Sequence, residues 1–182
     1  ELALLPHHLI DIINPDEDFS LAQYQQLASH VIEDVQQRDK LPILVGGSGQ
    51  YIRAVLEGWV IPSVAPDFEF RRNLEERAAQ GESDELYREL TEIDPVAAQK
   101  IAPRNLRRVI RALEVTRSTS VPFSELQQKK PPSFNAMVIG LTVDRVELYR
   151  RIDLRVNWMV ERGLVEEVKE LLSKGYDFSL PS

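Results

Sequence analysis

The sequence predicts an α/β fold in which a parallel sheet is interrupted by an all-helical insertion. Strand-like and helical segments alternate near both ends of the chain, whereas residues 59–135 contain no convincing strand signal. The run LPILV at 41–45 is apolar throughout and ends in Gly46 and Gly47, which is typical of a strand buried on both faces of a parallel sheet. The order of strand, helix, strand, glycine turn and helix is that of an α/β sheet.

The first part of the sheet core is expected in residues 1–60. Residues 8–13 (HLIDII) have strand character, and they precede a helix start. Ser20 and Gln23 form a capping box, which opens an amphipathic helix. After the buried strand and its glycine turn, a second helix covers about residues 50–57.

Proline and glycine residues divide residues 61–135 into a helical insertion. Asp94 is predicted to cap a helix that has Pro95 at its first position, where the missing N–H of proline has no intrahelical partner to lose. Further helices are predicted at about 68–80, from residue 83 onward and at about 105–116.

The strand signal returns at residues 137–143, so residues 136–182 are predicted to rejoin the sheet core. Asp144 is predicted to cap a long helix, with Glu147 three residues later as its capping partner. A last helix is predicted at about 165–173.

The composition is that of a folded protein and excludes several kinds of site. The chain has 182 residues, 43% of them hydrophobic, and 22 basic and 29 acidic side chains give a net charge of −7. The absence of cysteine excludes a disulfide framework, a thiolate metal site and a cysteine nucleophile. The acidic balance argues against a nucleic-acid partner unless the charges are unevenly distributed. No membrane helix or signal peptide is predicted, and because the sequence begins with Glu1 we expect a fragment of a longer protein.

The turn after the buried strand is a candidate anion site. It consists of Gly46, Gly47, Ser48 and Gly49, at the strand edge where open α/β sheets bind ligands. Free amides at the start of the following helix favour an anion, and glycines allow close approach of the backbone. A tight turn without a ligand is the alternative. No Gly-Lys-Ser/Thr follows, so the turn is not a Walker A motif.

Four arginines fall within residues 104–111, and they are predicted to lie on one helix. Like charges one turn apart destabilise a helix by a few tenths of a kcal/mol, so helix stability does not explain the cluster. Arginine side chains suit the geometry of phosphate oxygens, which favours a polyanionic ligand. The alternative is a solvated face, or a set of ion pairs with the many carboxylates of the chain.

A second group of arginines follows the last predicted strand on one helix. This placement brings them near the sheet edge that carries the glycine turn, and the alternative is a solvated face that also carries acidic residues. The group comprises Arg145, Arg150, Arg151 and Arg155.

The three histidines predict no metal site. His7 and His8 are adjacent on a predicted strand and point to opposite faces, so they do not readily bind one metal. His30 lies on a helix elsewhere.

The sequence contains five characteristic runs in this order: PHHLIDI (6–12), LPILVGGSGQYIRAVLEG (41–58), DPVAAQKI (94–101), NLRRVIRALEV (105–115) and LYRRIDLRVNWMVERGLVEEVKELL (148–172). Together these runs resemble the tRNA dimethylallyltransferase family, also called tRNA isopentenyltransferase. The resemblance implies a P-loop-NTPase-like parallel sheet core, incomplete in this chain, with an all-helical insertion domain that binds tRNA. It implies transfer of a dimethylallyl group from dimethylallyl diphosphate to N6 of adenosine 37, in the anticodon stem-loop of tRNA, with Mg²⁺, by a cytoplasmic monomer.

The resemblance also implies roles for individual residues. Ser48 takes the third place of the family's Gly-Gly-Thr turn, which contacts tRNA. Arg71 matches a tRNA-contacting arginine, with Phe70 or Arg72 as alternatives. Arg155, or alternatively Arg151, matches the arginine that helps to hold the diphosphate. A further match is a tRNA-contacting helix segment, which here is Arg107, Arg108, Val109, Ile110 and Arg111.

The family's P-loop and its Asp-Ser pair, which holds the expected general base, have no match in this sequence. The ligands of Mg²⁺ are therefore not expected in this chain, and the isolated chain is predicted to be inactive. Two alternatives stay open, namely an adenylate isopentenyltransferase that uses a free nucleotide and a non-catalytic RNA-binding module.

Overall fold

The computed structural model describes residues 4–177 and residue 180, which divide into two compact units. One unit comprises both ends of the chain, Glu1–Phe19 and Phe134–Ser182, and the other is Ser20–Ser133. The domain division predicted from the sequence, at 1–60, 61–135 and 136–182, stays a prediction.

The predicted parallel sheet is not confirmed. Among residues 4–177 and 180 there is no strand, and a single isolated antiparallel bridge joins Trp59 to Lys129. The runs 41–45 and 137–143 form no strand, and Val45 and Leu141 are 87% and 95% exposed. A strand that is buried on both faces needs neighbours for its N–H and C=O groups, and the described residues provide none.

Helices make up the regular structure of both units. Several start where local capping signals place them: Ser20 and Gln23 form the predicted box at the first helix, and Asp94 caps the helix that begins with Pro95. The helices are α1 (Leu21–Gln37), α2 (Gly49–Leu56), α3 (Phe68–Arg77), α4 (Ser83–Ile93), α5 (Pro95–Lys100), α6 (Leu106–Thr119), α7 (Phe123–Leu126), α8 (Arg145–Glu161) and α9 (Leu164–Ser173).

The apolar core of the Ser20–Ser133 unit lies between α3, α4, α5 and α6. Asp94 ties this core to α7, because its buried carboxylate accepts hydrogen bonds from the Ser124 amide at 2.7 Å and hydroxyl at 2.6 Å. Burial alone would raise the pKa of Asp94, but these bonds and the amide of Ala97 hold it below its ordinary value. The core residues are Leu74, Leu86, Leu90, Ala97, Ala98, Ile101, Val109, Ile110, Ala112 and Leu113.

The chain enters and leaves the helices α3–α7 through one short pairing, residues 57–60 with 128–130, which we call the neck. The amide of Val60 donates to the carbonyl of Gln128 at 2.8 Å, and the amide of Lys130 donates to Gly58 at 2.7 Å. Lys129 also forms an ion pair with Glu57 across the neck. The pairing therefore holds the two connections together.

In the other unit, α8 and α9 meet at Gly163, which has a φ of 99°. No described side chain of either helix is buried, and apolar residues of α8 such as Tyr149 and Ile152 are about half exposed. Within the described part of the chain, no helix is long and apolar enough to cross a membrane.

Replacing Gly58 by alanine is expected to destabilise the Ser20–Ser133 unit. Gly58 has a φ of 57°, and a Cβ there would lie 1.7 Å from the Lys130 carbonyl oxygen. The neck must open to accommodate it, so Gly58→Ala should lower the free energy of unfolding by about 2 kcal/mol or more. Urea unfolding measures this change.

Gly47→Ala is the matched control, because a Cβ at Gly47 meets nothing within 4 Å and its φ is not positive. It should change the free energy of unfolding by less than about 0.5 kcal/mol. Equal effects of the two substitutions would contradict the role of Gly58 in the neck.

Candidate nucleic-acid interface

The glycine turn is open at the start of α2. Ser48 is the N-cap of α2, but its side chain makes no capping hydrogen bond, so neither the hydroxyl nor the first amides are satisfied by a side-chain cap. Gly46, Gly47 and Gly49 lack positive φ, and a Cβ at Gly47 or Gly49 meets nothing within 4 Å. The described residues therefore give no conformational or packing reason for glycine there, and the turn can admit a ligand close to its backbone.

The four arginines of residues 104–111 divide into two groups by their partners. Arg104, Arg107 and Arg108 are exposed, and their side chains form no ion pair or hydrogen bond within residues 4–177 and 180. Asn105 caps α6 and accepts from the amide of Arg108, so this bond uses the backbone and leaves the guanidinium unengaged. These three arginines form a basic surface at the start of α6.

Arg111, by contrast, belongs to an ion-pair cluster around a buried carboxylate. Glu114 accepts from Arg111 Nη1 at 2.5 Å and from Arg71 Nε and Nη2 at 2.7 and 2.8 Å. The amide of Asp67 donates to the same carboxylate at 2.8 Å, and Arg111 Nη2 donates to the carbonyl of Val64 at 3.2 Å. We call Arg71, Arg111 and Glu114 the Glu114 cluster, and it fixes the chain before α3 to α6.

The Glu114 carboxylate stays ionised although it is fully buried. Burial favours the neutral acid and would raise its pKa, but hydrogen bonds from Arg71 and Arg111 and the amide of Asp67 hold the pKa below its ordinary value. Glu114 has no unmet acceptor, because each carboxylate oxygen accepts from two donors.

Sequence reasoning missed Glu114 as a centre of this site. The available signal was an acidic residue within the apolar run ALEV, between Leu113 and Val115, on the side of α6 that faces the core. The same side of α6 carries Val109 and Ile110, which were predicted to contact tRNA, and both side chains are buried in the core. Their side chains therefore pack α6 against the core and do not lie on its exposed face.

The two alternatives to Arg71 have other surroundings. Phe70 packs against the core, with the Arg117 guanidinium 4.5 Å from its ring centroid. Arg72 is exposed and lies 3.7 Å from Glu76. Among the three positions, Arg71 is therefore the one that binds the same carboxylate as Arg111.

In the other unit, Arg151 has an ion-pair partner and Arg155 has none among the described residues. Glu147 accepts from Arg150 and Arg151 at 2.7 Å each, and these hydrogen bonds lower its pKa to about 2. The prediction that Glu147 acts as a capping partner is therefore wrong: Asp144 caps α8 through the amide of Val146, and the nearby guanidinium charges attract Glu147. Arg155 is exposed and forms no ion pair with any residue that the structure describes.

No metal ligand is assigned. Within residues 4–177 and 180, no three carboxylate, histidine or cysteine side chains lie together as a cation site requires, so the residues present do not fit the implied Mg²⁺.

The chain is similar to one protein family over its whole length. The profile of the IPP transferase family matches residues 1–182. The tRNA dimethylallyltransferase of Roseiflexus castenholzii is 50% identical over 182 residues, which are 100% of this chain and 60% of that protein. The tRNA dimethylallyltransferase of Dehalococcoides mccartyi is 51% identical, again over 100% of this chain and 56% of that protein. The chain thus spans less than two thirds of the length of these relatives.

Solved structures give the same likeness. A tRNA isopentenylpyrophosphate transferase from Bacillus halodurans is 41% identical, with a TM-score of 0.56 over 96% of this chain and 54% of that chain. A eukaryotic dimethylallyltransferase acting on tRNA is 28% identical, with a TM-score of 0.72 over 94% of this chain and 43% of that chain.

The buried carboxylate predicts a pH dependence of stability. A group whose pKa is lowered in the folded state stabilises that state above its unfolded pKa, and the contribution is lost as the pH falls through the folded pKa. For Glu114 this loss begins below about pH 4.5. Glu114→Gln should be of the order of 2–3 kcal/mol less stable at pH 7 and should lose less stability between pH 6 and pH 3.

Urea unfolding at a series of pH values measures this difference. Glu92→Gln is the control, because Glu92 is an exposed carboxylate of α4 with no ion-pair partner among the described residues, and it should follow the unaltered protein. Parallel curves for Glu114→Gln and the unaltered protein would contradict an ionised Glu114.

Proposed function

The chain belongs to the IPP transferase family, and from this premise we propose that its protein transfers a dimethylallyl group from dimethylallyl diphosphate to N6 of adenosine 37 in tRNA. The observation that carries the proposal is the basic surface of Arg104, Arg107 and Arg108. It occurs in a chain about half identical to tRNA dimethylallyltransferases. A cytoplasmic location and a monomeric state belong to the same proposal.

The basic surface supports RNA as the ligand in spite of the acidic total charge. Arg107 and Arg108 lie in the first turn of α6, and Arg104 directly precedes the cap residue Asn105, so the three exposed side chains fall within five residues of the chain at the start of the helix. Guanidinium groups bind phosphate oxygens in bidentate geometry, and RNA presents phosphates at regular intervals. A net charge of −7 does not oppose this binding, because the local distribution of charge determines where a polyanion docks.

The proposed reaction forms a bond between N6 of adenosine and the terminal carbon of the dimethylallyl group. The bond between that carbon and the diphosphate oxygen breaks, the diphosphate leaves with the electron pair, and a general base accepts the proton that N6 loses. Positive charge beside the leaving oxygens lowers the barrier. Arg155 is the better candidate for this charge, because the guanidinium of Arg151 already donates to Glu147.

A free adenine nucleotide is the competing acceptor, and a non-catalytic RNA-binding module is the competing function. The three exposed arginines favour a ligand with several phosphates over a mononucleotide. Prenyl transfer by the full-length protein to an anticodon stem-loop, but not to AMP, would support the proposal. Transfer to AMP alone, or binding without any transfer, would contradict it.

Removing arginines of the basic surface is expected to weaken RNA binding and to make the binding constant less sensitive to salt concentration. Each arginine that contacts a phosphate adds about 0.7 to the slope of log K against log salt for a single strand. Arg107→Ala and Arg108→Ala should therefore each lower this slope by roughly that amount and weaken binding to an anticodon stem-loop. Filter binding at several salt concentrations measures both quantities.

Arg38→Ala is the matched control, because Arg38 follows α1 and pairs with Asp34 at 2.6 Å. It removes the same charge outside α6 and should leave the slope unchanged. An unchanged slope for Arg107→Ala and Arg108→Ala would overturn their assignment.

The two arginines of α8 are expected to differ in their effect on turnover. Arg155→Ala should lower kcat for prenyl transfer by about a hundredfold, as the loss of a charge that stabilises a leaving group does. Arg151→Ala should have a smaller effect, because its ion pair with Glu147 already engages it. Single-turnover rates with saturating RNA measure the difference, and a larger loss for Arg151→Ala would reverse the assignment.

A further inference from the structure

We propose that Glu114 is a positioning residue for tRNA binding, which holds Arg71 and Arg111 in the orientation with which they contact the RNA. The inference rests on the proposed function, because it takes tRNA as the ligand of these arginines. It concerns a residue that is fully buried and does not itself touch RNA.

The geometry of the Glu114 cluster fixes both guanidinium planes. Arg71 donates from Nε and Nη2 to the two different carboxylate oxygens, at 2.7 and 2.8 Å, and such a two-point contact sets the plane of the group. Arg111 is held at two points by different acceptors, Glu114 at 2.5 Å and the carbonyl of Val64 at 3.2 Å. The Asp67 amide fills the remaining acceptor position of the carboxylate.

Both arginines nevertheless reach the surface. Their side chains are 33% and 31% exposed, whereas the carboxylate beneath them is fully buried. Two guanidinium charges and one carboxylate leave a net charge of +1 in the Glu114 cluster. A ligand in solvent therefore meets the positive groups, while the negative group keeps the two like charges together.

Fixing an arginine before the ligand arrives improves binding. A free arginine side chain loses rotamer entropy when a ligand immobilises it, and in the Glu114 cluster this loss has already occurred on folding. The exposed Arg104, Arg107 and Arg108 have no such partner among the described residues. Arg71 and Arg111 thus supply defined geometry, and the basic surface supplies mobile charge.

Substituting Glu114 by glutamine separates positioning from simple electrostatics. The substitution removes a negative charge, so an effect of charge alone would strengthen the binding of RNA. If Glu114 positions the arginines, the neutral amide instead releases them and binding weakens. A positioning role and an effect of charge alone therefore predict opposite changes in the affinity for RNA.

The test measures prenyl transfer by the full-length protein to an anticodon stem-loop, at a temperature where circular dichroism shows each variant folded. Glu114→Gln should raise the KM for RNA about tenfold, the size expected when charge-assisted hydrogen bonds are lost. The kcat at saturating RNA and the KM for dimethylallyl diphosphate should stay within about twofold, because the reacting groups are untouched. Glu92→Gln removes the same charge from an exposed site and should leave every constant unchanged.

Glu114→Gln is also made in a protein that already carries Arg71→Ala and Arg111→Ala, which separates the positioning role from any general loss of stability. If Glu114 acts through its two partners, Glu114→Gln should add less than about twofold to the KM for RNA once Arg71→Ala and Arg111→Ala are present. A KM for RNA that is unchanged or lowered in the single variant overturns the inference. So does an equal loss in the presence and absence of the two arginines.

Failure of the proposed function has a different signature. In that case the unaltered protein transfers nothing to the stem-loop, and this inference falls with it. When the unaltered protein does modify the stem-loop and Arg107→Ala weakens its binding, the result for Glu114→Gln bears on the positioning role alone.

Discussion

The ionised carboxylate of Glu114, buried inside a helical unit, sets the conditions for the structure around it. Removing such a group from water costs several kcal/mol, and the cost is offset only when good donors fill its acceptor positions. The donors come from α3, from α6 and from the chain that precedes α3, so three segments must meet at one point. Their packing is thereby fixed more narrowly than apolar contacts alone would fix it, because hydrogen bonds constrain direction as well as distance.

This constraint gives identical side chains different roles. Arg111 and Arg108 lie three residues apart on α6, yet Arg111 is bound to a buried anion and Arg108 extends into solvent. The same division separates Arg151 from Arg155 on α8. Net charge and arginine counts therefore say little about which cations are available to a ligand. The partner of each cation, set by tertiary packing, determines its availability.

The sequence predicts best what is decided locally. The capping box at Ser20 and the cap at Asp94 form as predicted, because their partners lie three residues away. The prediction for Glu147 is wrong although its partners are also local. The backbone amide at the cap and the guanidinium groups of Arg150 and Arg151 all lie within about one turn of Glu147, and its carboxylate binds the two guanidinium groups. A sheet depends on neighbours that a single run such as 41–45 cannot contain, so its apolar pattern alone does not establish pairing.

The candidate site follows the same division between local and distant information. Periodicity predicts the arginines of 104–111 on one helix, and the structure places all but Arg104 in α6. The carboxylate of Glu114, which binds Arg111, also needs donors from Arg71 and Asp67, which lie more than 40 residues away along the chain. This distance explains why Glu114 was overlooked. The Glu114 cluster also holds the chain between the neck and α3 to α6, through the amide of Asp67 and the carbonyl of Val64. Moving either arginine outward would leave a buried charge short of donors, so the structure holds these two side chains in place, whereas Arg104, Arg107 and Arg108 have no such partner among the described residues.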